Sequence, residues 1–85
     1  MQVTDVRISL SKDSALKAKA SVTFDNSFVV HGVKVFEAKD GKMFISMPQS
    51  KTADGYKDIC HPLNTEFRNY VSGEVIKAYN AKINN

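Results

Sequence analysis

The sequence has no tryptophan and little cysteine, histidine or proline. Its 85 residues include one Cys, two His and two Pro. A single cysteine excludes an intramolecular disulfide framework and is typical of a reducing compartment. No stretch approaches the roughly 20 apolar residues of a membrane-spanning helix, and the residues after Met1 lack the basic and apolar segments of a signal peptide. We therefore expect one cytoplasmic domain over residues 1–85, with no membrane partner.

Residues suited to catalysis or metal binding are equally sparse. Cys60 and His61 are adjacent, but neighbouring side chains on an extended segment point apart. Together with His31 they show none of the usual spacings of a zinc site, and the four scattered glycines form no phosphate-binding loop. We expect no enzyme activity, no catalytic or metal site, no cofactor and no small-molecule substrate. His31 and Cys60 are interpreted as structural residues, the first hydrogen-bonded and the second buried.

Apolar and polar residues alternate along four segments, which is the pattern of half-buried strands. The predicted strands are residues 6–10 (with Val3 as an extension), 16–24, 28–36 and 43–47. The segment Ser11–Ser14 predicts a turn, the segments 25–27 and 40–41 predict tight turns, and Gly32 predicts a bulge inside the third strand. Short turns between successive strands predict an antiparallel meander.

The rest of the chain predicts a loop and a helix. Residues 49–55 form a polar loop, and residues 56–60 add a short extended piece. Pro62 closes this segment, because the residue before a proline avoids helical geometry. Asn64 or Thr65 then caps a helix.

One face of that helix is apolar, and it should dock on the strand face with small side chains. The helix face comprises Phe67, Val71, Val75, Ala78 and Tyr79, and the strand face comprises Ala18, Ala20 and Val22. The predicted fold is α+β, a four-stranded antiparallel sheet (meander) with a C-terminal helix packed on one face.

The charge is mildly basic. The net charge is +3 and the pI is about 9.1, which just reaches the range typical of nucleic-acid binding. Arg7, Lys17 and Lys19 should share the outward face of two neighbouring strands, where cations on a rigid frame contact phosphates. Ordinary surface lysines explain the same net charge and pI. From these residues alone, a solvated surface without a nucleic-acid partner is slightly favoured.

A set of short motifs resembles the SpoVG family, the bacterial stage V sporulation protein G or septation regulators. The motifs in order are Val3–Arg7, Phe28–His31, Val33–Val35, Met47-Pro48, Thr52 with Asp54-Gly55, Asp58-Ile59 and His61–Asn64. The resemblance runs from residue 2 to about residue 80. It implies a cytoplasmic regulator of septation, sporulation and gene expression that binds DNA or RNA as a homodimer or larger assembly, without enzymatic activity.

The resemblance also implies where nucleic acid binds. Basic residues of the family lie in the loop after Met-Pro and on the C-terminal helix, which points to Lys51 and Arg68, and we add Lys77 on the same helix. Ser50 and Tyr70 depart from the family pattern, because they stand where basic residues are usual, and the first strand has Ser9 and Leu10 where the family tends to be more basic. Tyr70 is instead expected to stack on a base or to serve a protein interface.

A homodimer is also expected from the apolar pattern. The third strand is apolar on both faces, and one helix covers only one of them. The predicted interface residues are Val29, Phe36, Phe44, Tyr70 and Ile76.

The alternative function is a protein-interaction module of the division septum that binds no nucleic acid. A contiguous positive band on the assembled surface favours the first function, and scattered charge around a large apolar patch favours the second.

Overall fold

The predicted four-stranded meander and its helix are confirmed by a computed structural model, which describes residues 1–11 and 16–84. Its elements are β1 (Val3–Leu10), β2 (Leu16–Phe24), β3 (Phe28–Glu37), β4 (Met43–Ser46), β5 (Gln49–Thr52), β6 (Gly55–Asp58) and α1 (Thr65–Ile83). Strands β1 to β4 are antiparallel neighbours in chain order. The turn predicted at Ser11–Ser14 falls mostly on residues 12–15, outside the described residues.

The turn between β2 and β3 uses residues that tolerate left-handed backbone. Asp25 and Asn26 have φ values of 53° and 52°, and the Ser27 amide donates to the Phe24 carbonyl at 2.9 Å. Three residues connect the paired Phe24 and Phe28, and the positive φ values at Asp25 and Asn26 reverse the chain direction within this short connection. The Asp25 carboxylate also accepts a hydrogen bond from the Gln2 amide at 2.9 Å, so the turn holds the start of β1 in place.

Gly32 forms the predicted bulge in β3. Ala20 pairs with Val33 and Val22 pairs with Val30, so β3 has one residue more than β2 between these pairs. Gly32 has φ +84°, a conformation that glycine adopts without steric cost. The extra residue preserves the alternation, because Val30 and Val33 both face the helix although they are three positions apart.

The core lies between α1 and one face of the sheet. Its buried residues are Ala18, Ala20, Val22, Phe24, Val33, Val35, Met47, Val71 and Val75. Phe67 and Tyr79 pack against this cluster while half-buried. The docking face predicted from the helix periodicity is therefore confirmed, and the small alanines of β2 lie where the helix approaches the sheet.

The helix begins where the sequence predicts. Asn64 is the N-cap, and its side-chain oxygen accepts from the Phe67 amide at 2.8 Å. This bond satisfies one of the amides that the first turn leaves without a helical partner. Glu66 lies in the first turn and Lys82 in the last, where each charge favours the helix dipole.

The polar loop predicted for residues 49–55 is wrong, because β5 and β6 form a separate two-stranded hairpin. Gln49 pairs with Asp58, and Thr52 pairs with Gly55. The Ile59 amide donates to the Pro48 carbonyl at 2.7 Å and closes the base of the hairpin. Period-two burial did not reveal these strands because their side chains are nearly all exposed.

We predict opposite effects of alanine at two glycines. Gly32→Ala should lower the free energy of unfolding by about 1–2 kcal/mol, since alanine resists positive φ. The new Cβ would lie 3.4 Å from the Pro48 Cβ, so most of the cost is backbone strain. Gly73→Ala should raise the free energy of unfolding by about 0.5–1 kcal/mol, because Gly73 is inside α1 and its added Cβ meets no atom within 4 Å. Urea unfolding measures the free energy of unfolding of both variants. A change in the same direction for both would contradict the prediction.

Candidate nucleic-acid interface

Lys51 lies on the β5–β6 hairpin, opposite an exposed aromatic ring. It is exposed and pairs directly across the hairpin with Tyr56, which is 68% exposed. Directly opposite residues of antiparallel strands share a face, with Cβ atoms about 4.5–5.5 Å apart. The hairpin therefore presents a cation and an aromatic ring side by side.

Arg68 and Lys77 lie on opposite flanks of α1. Both are exposed, but nine residues at about 100° each place them half a turn apart. Lys77 lines a shallow groove between α1 and β1 together with Glu74 and the residues Val3 to Val6. The structure therefore does not bring Lys77 together with Arg68 into one site.

Tyr70 is fixed in position by contacts with other parts of the protein. Its hydroxyl oxygen accepts a hydrogen bond from the Val3 amide at 2.9 Å, and its ring centroid lies 5.8 Å from that of Phe67. Phe67 in turn lies 5.9 Å from Phe24. This arrangement links α1 to the first residue of β1 and leaves Tyr70 38% exposed.

The sheet face that α1 does not cover, here called the open face, carries three cations in a diagonal. Lys19 pairs with Lys34 on β3 and with Ser9 on β1, and Arg7, two residues before Ser9, points to the same side. We call Arg7, Lys19 and Lys34 the cationic stripe. His31 flanks it, with its Nδ1 2.8 Å from the Ser21 hydroxyl, in agreement with the structural role predicted for this histidine.

Lys17 does not belong to this stripe, and its predicted place beside Arg7 and Lys19 is wrong. It is the extra residue of a bulge, because Leu16 pairs with Phe36 and Ala18 with Val35. Its ammonium lies 3.7 Å from the Glu37 carboxylate, and its side chain is only 29% exposed.

Two phenylalanines lie beside the stripe on the open face. Phe36 and Phe44 are paired across β3 and β4, and their rings stack with centroids 5.5 Å apart and an interplanar angle of 20°. We call these two residues the aromatic pair. Phe44 is 48% exposed. Val29 also lies on the open face, whereas Tyr70 and Ile76 lie on the helix, so the five predicted interface residues occupy more than one surface.

An apolar cavity of about 130 Å³ lies between the start of α1 and the end of the β2–β3 hairpin. Cys60 and Pro62 line it together with core residues. We call the exposed apolar residues at its edge the apolar mouth. Met1 and Phe28 line the opening, and Ile59 and Leu63 flank the lining segment 60–62; all four are 63–92% exposed.

The histidines and the cysteine do not converge. His31 lies on the open face, and Cys60 and His61 lie at the cavity on the other side of the sheet. Among residues 1–11 and 16–84, no three side chains of metal-binding type come together. No helix in this part of the chain is long and apolar enough to cross a membrane.

Comparison with known proteins identifies the family. The family model described as SpoVG matches residues 1–81. The chain belongs to the SpoVG family. A SpoVG relative from Caldicellulosiruptor saccharolyticus is 52% identical over 85 residues, covering 98% of this chain and 96% of the relative. One from Clostridium beijerinckii is 51% identical over 81 residues, covering 93% and 88%, and one from Thermoanaerobacter sp. strain X514 is 48% identical over 81 residues, covering 93% and 87%. All three relatives carry the name septation protein SpoVG.

Two candidate binding residues of this SpoVG-family chain, Lys34 and Tyr56, were not predicted from the sequence. Lys34 alternates with Val33 and Val35, so the strand pattern already placed it outward. Its pairing with Lys19 depends on the bulge at Gly32 and was not visible. Tyr56 was missed because its partner Lys51 was assigned to a loop.

We predict that the Tyr70 hydroxyl stabilises the fold. Tyr70→Phe removes the acceptor of the Val3 amide and should lower the free energy of unfolding by about 0.5–1 kcal/mol. Tyr56→Phe is the matched control, because its exposed hydroxyl has no hydrogen-bond partner among the described residues, and its effect should stay within about 0.5 kcal/mol. Thermal and urea unfolding measure both variants; equal stability of the two would show that the bond contributes nothing.

Proposed function

We propose that this SpoVG-family protein is a cytoplasmic regulator, linked to septation, that binds DNA or RNA and catalyses no reaction. The observation that carries the proposal is the pairing of Lys51 with the exposed Tyr56 on the β5–β6 hairpin. The names of the relatives support the link to septation. Arg68, exposed in the first turn of α1, is a second cation proposed to contact phosphate from the helix.

The chemistry of this site suits a nucleic acid. The Lys51 ammonium is a mobile point charge that attracts phosphate, and a guanidinium such as that of Arg68 binds phosphate oxygens bidentately. An exposed tyrosine ring stacks on bases with little regard to sequence. Phosphate contacts position the partner without reading bases, so we expect modest sequence preference and steep salt dependence.

We also propose that the protein is a homodimer. Its accessible surface is 6086 Å², whereas a folded monomer of 9.4 kDa exposes about 5,000 Å². The excess, about 1,000 Å², is comparable to the roughly 800 Å² that each partner buries in a standard interface. The apolar mouth is the surface best suited to a second copy, because its apolar side chains surround a cavity they do not fill.

The same apolar mouth is the observation that favours the second candidate function. Exposed apolar side chains grouped around a cavity are typical of protein-interaction sites. In that case the septation role would run through contacts with another protein, and the surface cations would only keep the protein soluble. Measurements of nucleic-acid binding and of mass separate the two functions.

We predict that Lys51→Ala and Arg68→Ala each weaken nucleic-acid binding across many sequences. Each should lower the steepness of the salt dependence by about one phosphate contact. Thermal stability should stay nearly constant, because exposed charges contribute little to folding. Lys39→Ala, in the exposed turn between β3 and β4, is the control with the same charge change. Fluorescence anisotropy at about 50 and 200 mM salt measures the effect.

Two results would contradict this proposal. If both variants bind like the parent, the site lies on another surface. If the parent itself shows no salt-sensitive binding to DNA or RNA, the protein-interaction function becomes the better conclusion.

We predict a dimeric mass in solution that depends on the apolar mouth. Leu63 is 92% exposed, so Leu63→Asp should leave the fold intact and shift the mass to that of a monomer, since a buried unpaired carboxylate opposes association. Leu10→Asp, at a 50% exposed position at the end of β1, should remain dimeric. Sedimentation equilibrium at tens of micromolar protein measures the mass of the parent and of both variants. A monomeric mass for the parent would refute the proposed dimer.

A further inference from the structure

The cationic stripe contains an unfavourable contact that the described residues do not relieve. Lys19 and Lys34 are directly opposite each other on neighbouring strands, and like charges in this position destabilise a sheet. Arg7 pairs with Asp5 at 3.2 Å and Lys17 pairs with Glu37. Within residues 1–11 and 16–84 neither Lys19 nor Lys34 has an acidic partner. Two exposed lysines therefore extend from directly opposite backbone positions, and an anion can bind between their ammonium groups.

The aromatic pair adjoins these lysines on the same face. Phe36 follows Lys34 by two residues, so the two side chains lie on one side of β3 about 7 Å apart. Phe44 extends this surface onto the edge strand β4 and is 48% exposed. A nucleic-acid strand matches both the lysines and the aromatic pair. Its phosphates pair with the ammonium groups, and one of its bases stacks on the phenylalanine ring.

We propose that the open face binds single-stranded nucleic acid, with its phosphates along the cationic stripe and an unpaired base on Phe44. The inference rests on the proposed function and names a second contact surface with its own class of partner. A single strand fits better than a duplex, because base faces are accessible for stacking only when the bases are unpaired. The open face is also made of strands of one sheet, so it presents no helix to enter a groove.

The stripe also has a geometry that follows a chain of phosphates. Lys34 and Lys19 are directly opposite each other, with Cβ atoms about 5 Å apart, and Arg7 is diagonal to Lys19 at about 7–8 Å. The three cations cross β3, β2 and β1 in turn. A nucleic-acid backbone lying along this diagonal places one nucleotide at the β3 end of the stripe, next to Phe36 and Phe44.

The test compares single strands with duplexes. A fluorescent oligothymidylate of about 12 nucleotides and a duplex of equal length are titrated by anisotropy at about 50 and 200 mM salt. Lys19→Ala and Lys34→Ala should each weaken single-strand binding about 3- to 10-fold and lower the salt slope by about 0.7. Phe44→Leu, which keeps an apolar side chain but removes the aromatic ring, should weaken it about 5-fold or more.

Controls separate binding from folding and from self-association. Lys39→Ala carries the same charge change outside the stripe and should bind like the parent. The melting temperatures of Lys19→Ala and Lys34→Ala should be equal to or above that of the parent, because each substitution removes a repulsion. The dimeric mass should be unchanged by Phe44→Leu.

Three results would overturn the inference. If Lys19→Ala and Lys34→Ala bind single strands like the parent while Lys51→Ala does not, nucleic-acid binding stands but the open face is not its site. If Phe44→Leu changes the mass instead of the affinity, the open face is an interface between copies of this chain. If no variant or parent binds any nucleic acid in a salt-sensitive way, the proposed function fails as well.

Discussion

The packing of α1 across one face of the sheet is the contact on which the rest of the structure depends. Ala18 and Ala20 present little more than a methyl group each, so the helix valines Val71 and Val75 become buried against the sheet. Close packing of this kind leaves no room for larger side chains without strain. The Asn64 cap and the bond from the Val3 amide to Tyr70 then hold the helix start and link it to β1.

Burial of one sheet face by a single helix determines where polar chemistry is possible. The covered face is apolar, and its edge near the start of α1 ends in a cavity with exposed apolar residues. The open face carries the cationic stripe, His31 and the aromatic pair. The apolar mouth and the cationic stripe therefore lie on opposite sides of one sheet, so a partner bound to one surface leaves the other accessible.

The residues next to each cation determine whether it is available to an anion, and the total number of cations does not. Lys17 is paired with Glu37 and is only 29% exposed, whereas Arg7 stays 84% exposed beside Asp5. Lys77 lies beside Glu74 in a groove, so Lys17 and Lys77 are poorly placed for phosphate. Lys51 adjoins Tyr56, and Lys19 adjoins Lys34, and these arrangements favour an anion with an attached ring. A net charge of +3 therefore understates how basic the individual surfaces are.

The sequence by itself determined the meander, the bulge at Gly32 and the docking face of the helix, and it placed the helix cap at Asn64 or Thr65. Each follows from local rules of alternation, turn chemistry and helical period, which act within a few residues. The tertiary structure alone decided which cations meet. Register pairs Lys19 with Lys34, a bulge removes Lys17 from their face, and helical rotation separates Arg68 from Lys77. The β5–β6 hairpin could not be predicted from the sequence either. An exposed hairpin is held by backbone hydrogen bonds, and its side chains show no alternation of buried and exposed positions. Hydrophobic patterning predicts which residues are buried. It does not predict which residues become neighbours on an exposed surface.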